Sequence, residues 1–161
     1  ACLVQNLAIK KARAVAKLHP DDVVLAADTV VALDNHILGK PQDKEQAQKM
    51  LRMLSNRVHQ VYTGYCILKQ NRCEIGVSCT SVEFYPLSDE DIESYIATGE
   101  PFDKAGGYGI QSLGSLLVRK IDGDFYNVVG LPIAEISRLL RTFGSSKTAE
   151  ESNYGKESPT L

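Results

Sequence analysis

Nine consecutive residues, Asp103-Lys104-Ala105-Gly106-Gly107-Tyr108-Gly109-Ile110-Gln111, place an acid, a cation, three glycines and an amide side by side. A simple surface turn needs one or two glycines. Three of them beside Lys104 point to a backbone that comes very close to something, and a phosphorylated ligand fits best. The same residues also read as a mobile glycine-rich loop. Asp28 is the second residue of interest, because it interrupts the apolar stretch Val23-Val24-Leu25-Ala26-Ala27 before Val30-Val31-Ala32-Leu33 resumes it. A carboxylate there must be solvated, paired or bound to a cation. At a strand end, where α/β sheets open their ligand clefts, it would bind a metal or accept a proton. It reads equally as a turn acid hydrogen-bonded locally to Thr29.

Three lysines could supply fixed positive charge. Lys40 sits in the rigid bend Gly39-Lys40-Pro41, Lys104 in the glycine-rich loop, and Lys11 on an N-terminal helix where it alone reads as a surface charge. Known phosphate and hydrolase signatures fail: there is no G-x-x-x-x-G-K-[ST], no G-x-S-x-G and no H-E-x-x-H, and Gly107-x-Gly109-x-x-Ser112 only half matches a dinucleotide fingerprint. What remains is one acid, separated lysines and a glycine loop. That set suits metal-assisted attack on a phosphoanhydride, with Asp28 and a divalent ion at the phosphates and the lysines offsetting their charge.

Composition narrows the field. A chain of 161 residues with 43% hydrophobic and 24% charged residues fits one soluble domain. A net charge of -2 gives no basic field for long nucleic acid. No apolar run reaches the length of a membrane span and no signal peptide opens the chain, so a cytoplasmic protein is expected. Cys2, Cys66, Cys73 and Cys79, with His19, His36 and His59, lack zinc-site spacing, so buried reduced thiols are expected. Cys66 and Cys79 on facing strands of a hairpin leave an oxidised pair open.

The elements that must position these groups read as follows. Leu3, Leu7, Ala14 and Leu18 recur at helical spacing, with Lys10, Arg13 and Lys17 on another face. This helix starts without a methionine, a cap or a strand upstream, which reads as a fragment. Val23 to Ala27 reads as a strand buried on both faces. Asp43 caps a helix, with Gln46 completing a capping box and Ala47, Met50, Leu51 and Leu54 as its buried stripe. Val58 to Leu68 and Glu74 to Tyr85 form antiparallel strands around Gln70-Asn71-Arg72. Ser88 caps a helix that buries Ile92, Tyr95 and Ile96 and ends at Gly99 and Pro101. Pro132 opens the last helix, with Ile133, Ile136, Leu140 and Phe143 facing inward and Gly144 as its stop. Residues 145–161 are polar and aperiodic and are expected to be a disordered tail. The fold class is α/β: a single domain with a twisted, mixed central sheet flanked by helices.

At these residues the sequence resembles the Maf family of nucleoside triphosphate pyrophosphatases, historically called septum formation inhibitors. The matching segments are Lys11-Ala12-Arg13-Ala14, Ala27-Asp28-Thr29-Val30-Val31, Gly39-Lys40-Pro41, Tyr62-Thr63-Gly64, Glu100-Pro101-x-Asp103 through Gln111, and Asn127-Val128-Val129-Gly130-Leu131-Pro132. The resemblance implies a Maf/ITPase-like domain over residues 1–144. It also implies cleavage of a nucleoside triphosphate to monophosphate and pyrophosphate with a divalent metal, Mg²⁺ or Mn²⁺. On the same basis Asp28 is the catalytic acid or metal holder, and Lys11, Lys40 and Lys104 face the phosphates. Thr29 and Gln111 match positions that set base preference in the branch acting on dTTP and UTP, rather than in the branch acting on 7-methyl-GTP. Family members begin with a strand and an S-x-S-P-R-R loop, followed by an acidic residue assigned to the metal site. None of these is in this sequence, so weak activity and an exposed sheet neighbour are expected. A nucleotide-binding regulator of septation is the alternative, an inosine-triphosphate pyrophosphatase a further one. A homodimer is compatible with all three.

Overall fold

The computed structural model describes residues 1–144, so the tail expected over 145–161 lies outside the described residues. Five strands form one sheet: β1 (Val24–Leu33), β2 (His36–Leu38), β3 (Val58–Lys69), β4 (Arg72–Phe84) and β5 (Val118–Asp122). Their order is β2-β1-β3-β4-β5 and every pairing is antiparallel. Tight turns explain the pairing. Asp34 and Asn35 both adopt positive φ between β1 and β2, and Gln70 does so between β3 and β4. Five helices flank the sheet: α1 (Cys2–Ala16), α2 (Lys44–Leu54), α3 (Asp89–Ala97), α4 (Phe125–Val129) and α5 (Ile133–Gly144).

The two sheet faces carry different cargo. Side-chain alternation sends Val24, Gly64 and Cys66 to one face, where α1 lies. Val31, Leu33, Val61, Val82 and Phe84 point to the other face, against α2, α3 and Tyr108. Tyr65 and Ile67, on that second face, pack with Ile136 and Phe143 of α5. Four side chains in the described core are polar: His59, Thr63, Thr80 and Asn127.

α1 departs from its expected register. Its buried residues are Val4, Ala8 and Ala12, while Leu3 and Leu18 are 46% and 79% exposed and Ala14 faces solvent. Small residues win because the helix backbone lies directly on the sheet. A Cβ added at Gly64 would sit 2.5 Å from the Gln5 amide nitrogen and 2.7 Å from the Val4 carbonyl oxygen. Similarly, only Val24 of the Val23–Ala27 run is fully buried, and Leu25 is 36% exposed.

The caps of α2 and α3 fall where expected. Asp43 accepts from the Gln46 backbone, but the Gln46 side chain accepts from Gln42, so the box at α2 is not reciprocal. At α3, Ser88 and Asp91 form the full reciprocal box, and donation from the Ser88 hydroxyl, then from the Ser88 backbone N–H, holds the Asp91 carboxyl below the usual range. Ile136 N–H bonds the Pro132 carbonyl, so Pro132 stands at the entry to α5, where Ile133 is exposed. Cys66 and Cys79 do lie on the facing strands β3 and β4, but the register sets Cys79 opposite Tyr62 and Cys66 opposite Ile75, so the two are not cross-strand partners. Cys66 instead has its sulfur 3.6 Å from that of Cys73, and it alone of the four thiols is buried.

Candidate active site

β1 delivers Asp28 and Thr29 to a cleft of about 510 Å³, into which Lys40, Asp103, Lys104 and Gln111 also project. Asp28 lies in mid-strand, opposite Gly64, and not at the strand end the sequence led us to expect. Its neighbour Thr29 points to the opposite face. Both reach one cleft because β2 pairs with β1 only over Val31–Leu33. Among the described residues the outer edge of β1 from Val24 to Val30 has no strand partner, and the cleft wraps around it. An open edge also resolves the cost of an acid in an apolar strand. The Asp28 side chain keeps 21% of its exposure and forms an ion pair with Lys11 Nζ from α1.

The glycine-rich loop faces Asp28 across the cleft. Lys104 Nζ donates to Asp103 Oδ1 at 2.9 Å. That bond, with a weaker contribution from Lys40, holds the exposed Asp103 carboxyl below the usual carboxylate range. Asp103 therefore joins the site. Sequence reasoning passed over it, although its place beside Lys104 was the available signal. Hydrogen bonds tie the loop to its surroundings. Gly106 N–H bonds the Gly39 carbonyl at 3.0 Å, tying the loop to the Lys40 bend. Gly109 N–H bonds the Tyr95 hydroxyl at 3.1 Å, and the Tyr108 hydroxyl lies 2.7 Å from His59 Nε2.

Two of the glycines serve packing inside the protein. Gly106 adopts φ 73°, and a Cβ there would lie 3.0 Å from Val31. At Gly109 a Cβ would meet Lys104 Cε at 2.5 Å, so the lysine stem occupies the space that the missing side chain leaves. Glu100 accepts from the Leu113 and Gly114 N–H groups at 3.4 Å and fixes the far end of the loop.

Beneath Thr29 runs a chain of neutral polar groups that sequence reasoning missed. The Thr29 and Thr63 hydroxyl oxygens are 2.8 Å apart, and Thr63 Oγ1 lies 3.0 Å from the Asn127 carbonyl. The Asn127 amide donates to the Val61 carbonyl and to Thr80 Oγ1. Among the described residues Asn127 Oδ1 is buried without a partner. The hints of this chain were the segments Tyr62-Thr63-Gly64 and Asn127–Gly130, of which Val128 to Gly130 line the cleft.

All six residues singled out from the sequence are thus brought together: Asp28, Thr29, Lys40, Lys104 and Gln111 line the cleft, and Lys11 reaches it through Asp28. Residues 1–143 match the family described as Maf-like protein. The chain belongs to this family. Among Maf-like relatives, a protein of Halalkalibacterium halodurans named dTTP/UTP pyrophosphatase is 51% identical over 144 residues, 89% of this chain and 76% of its own. Proteins with the same name from Bacillus velezensis and Exiguobacterium sibiricum are each 56% identical. They cover 87% and 88% of this chain and 74% and 71% of their own.

The Maf-like cleft holds two carboxylates, Asp28 and Asp103. Among the described residues no group of three or more His, Cys, Asp or Glu side chains stands close enough to cage a metal unaided. A donor set of one or two carboxylates is still the usual protein share for Mg²⁺, whose other ligands come from substrate phosphates and water. The residues present therefore fit a divalent cation that arrives with a nucleotide. No described helix is long and apolar enough to cross a membrane.

Proposed function

We propose that this chain is a nucleoside triphosphate pyrophosphatase that hydrolyses dTTP and UTP to the monophosphate and pyrophosphate, with residues 1–144 as its catalytic domain and the cytoplasm as its place of work. The observation that carries the reading is one acid, Asp28, paired with Lys11 at the edge of a cleft whose other side presents Lys40 and Lys104. An anhydride must be attacked by water at the α-phosphorus while charge builds on the departing pyrophosphate. Lysines arranged around it offset that charge. The names of the Maf-like relatives supply the nucleotide.

In the reaction the water oxygen bonds to the α-phosphorus and the bond to the α–β bridging oxygen breaks. Asp28 takes the proton released by water, and pyrophosphate leaves against Lys40 and Lys104. Lys11 holds the Asp28 carboxylate in place through their ion pair until the phosphates enter. Mg²⁺ or Mn²⁺, held by Asp28 with Asp103 alongside, would supply Lewis-acid polarisation of the phosphate oxygens. Thr29 and Gln111 take the base.

Pyrophosphate release from UTP or dTTP in the presence of Mg²⁺ or Mn²⁺ tests the reading. Removing the base through Asp28→Asn is expected to cut turnover by about 100-fold or more. No pyrophosphate from the unaltered protein would sink the reaction, and an Asp28→Asn variant at full rate would sink the role of Asp28.

A further inference from the structure

Thr29 is the cleft residue whose hydrogen-bonding direction the structure constrains most. Its hydroxyl lies 2.8 Å from that of Thr63 and 3.5 Å from the Gly130 carbonyl. The Thr63 hydroxyl, fully buried, lies 3.0 Å from the Asn127 carbonyl. Each hydroxyl has one proton, and the carbonyls only accept. The arrangement that makes both short contacts has Thr63 donating to Asn127 and Thr29 donating to Thr63. The other internal arrangement has Thr63 donating to Thr29 and Thr29 to Gly130. In both, the Thr29 proton stays inside the protein and its oxygen faces the cleft with a lone pair alone. To aim that proton at a ligand, the pair must give up one internal bond: either Thr63 leaves the Asn127 carbonyl to donate to Thr29, or Thr29 leaves Thr63. One buried hydrogen bond is then lost, a bias of about tenfold.

An acceptor at this point selects a donor. Uracil and thymine carry N3–H between two carbonyl oxygens, whereas cytosine presents a bare N3 lone pair between a carbonyl and an amino group. Gln111, on the same cleft, cannot make this choice, since its amide turns to offer either a donor or an acceptor. We propose that Thr63 is the positioning residue that sets pyrimidine choice: by fixing the Thr29 proton it makes Thr29 an acceptor, matched to uracil and thymine and mismatched to cytosine. The proposal rests on the reading of the cleft as a nucleotide site. It gives Thr63 and Asn127, which are buried behind the cleft and do not line it, a place in specificity.

Calorimetric binding of UTP, CTP and N3-methyl-UTP to the unaltered chain, to Thr63→Val and to Thr63→Ser tests it, with pyrophosphate release followed in parallel. The unaltered protein should favour UTP over CTP and over N3-methyl-UTP by about tenfold or more, since a site built for one donor rejects analogues lacking it. Thr63→Val, close in shape but without the hydroxyl, frees the Thr29 proton and should shrink the UTP-to-CTP ratio by about tenfold. Thr63→Ser should keep the ratio whatever it does to thermal stability. A Thr63→Val protein that binds both nucleotides less well at an unchanged ratio overturns the proposal, because Thr63 is then only a core residue. Should that variant not fold, the unaltered protein still decides: N3-methyl-UTP binding as tightly as UTP overturns it, and failure of UTP to bind does too. UTP bound selectively but never cleaved would remove the pyrophosphatase reading and leave this one standing.

Discussion

The buried His59 makes the anchoring of the glycine-rich loop measurable through pH. Its ring is fully enclosed, with Nε2 on the Tyr108 hydroxyl, Nδ1 without a partner among the described residues and Phe84 packed edge-on at 5.0 Å. An imidazolium there would have no counter-charge, and burial drives the His59 pKa down from 6.5 to about 4. Between those values the unfolded chain binds a proton that the folded chain refuses. Stability from neutral His59 is therefore complete above pH 6.5, declines as pH falls, and is gone once pH drops through about 4. The whole displacement corresponds to at most about 3 kcal/mol, of which about 2 kcal/mol has disappeared at pH 5. Against a total stability of about 5–15 kcal/mol, that loss is large.

Urea unfolding midpoints compared at about pH 7.5 and about pH 5, for the unaltered protein and for His59→Gln, isolate the effect. Glutamine stays neutral and can still reach Tyr108. Other titrating groups cancel when the two pH differences are subtracted. The unaltered protein should lose about 2 kcal/mol more than the variant on acidification. Equal losses would refute the argument, because His59 would then titrate alike folded and unfolded.

Two further substitutions probe how the site is held. Gly64→Ala drives a methyl group into the Val4–Gln5 backbone, so it should destabilise the fold by about 1–3 kcal/mol and, by lifting α1, separate Lys11 from Asp28; thermal melts and UTP turnover should both fall, and an unchanged melting temperature would contradict the close approach. Gly109→Ala pushes only a flexible lysine stem, so stability should change by about 1 kcal/mol or less while kcat/KM for UTP drops about tenfold; activity that survives intact would remove Lys104 from the phosphate site.

The parts of this molecule that its sequence announces are those whose cause is local. Ser88 and Asp91 bond to each other three residues apart, so their cap needs nothing beyond α3 itself. The β3–β4 hairpin is likewise set by its own turn. α1 fails that test. Ala8 and Ala12 are buried ahead of Leu3 and Leu18 because Gly64, more than fifty positions away, lets the helix backbone sit on the sheet. Asp28 fails it too, since its access to the cleft depends on how far β2 pairs along β1, a matter of sheet order.

The same distinction runs through the site. Asp28, the lysines and the glycine loop could be picked out because charge and glycine are costly to misplace, so their presence in apolar sequence calls for a reason. Thr63, Thr80 and Asn127 carry no such mark. A neutral polar side chain looks the same whether it bonds water or a buried carbonyl, and only the fold brings these three together. Once assembled they are constrained more tightly than the charged groups in front of them. A lysine can swing to follow a phosphate, whereas a buried hydroxyl with its proton committed cannot reverse without breaking a bond elsewhere. Ionic groups can thus supply the force of the reaction, while the silent polar chain behind Thr29 is what could tell one base from another.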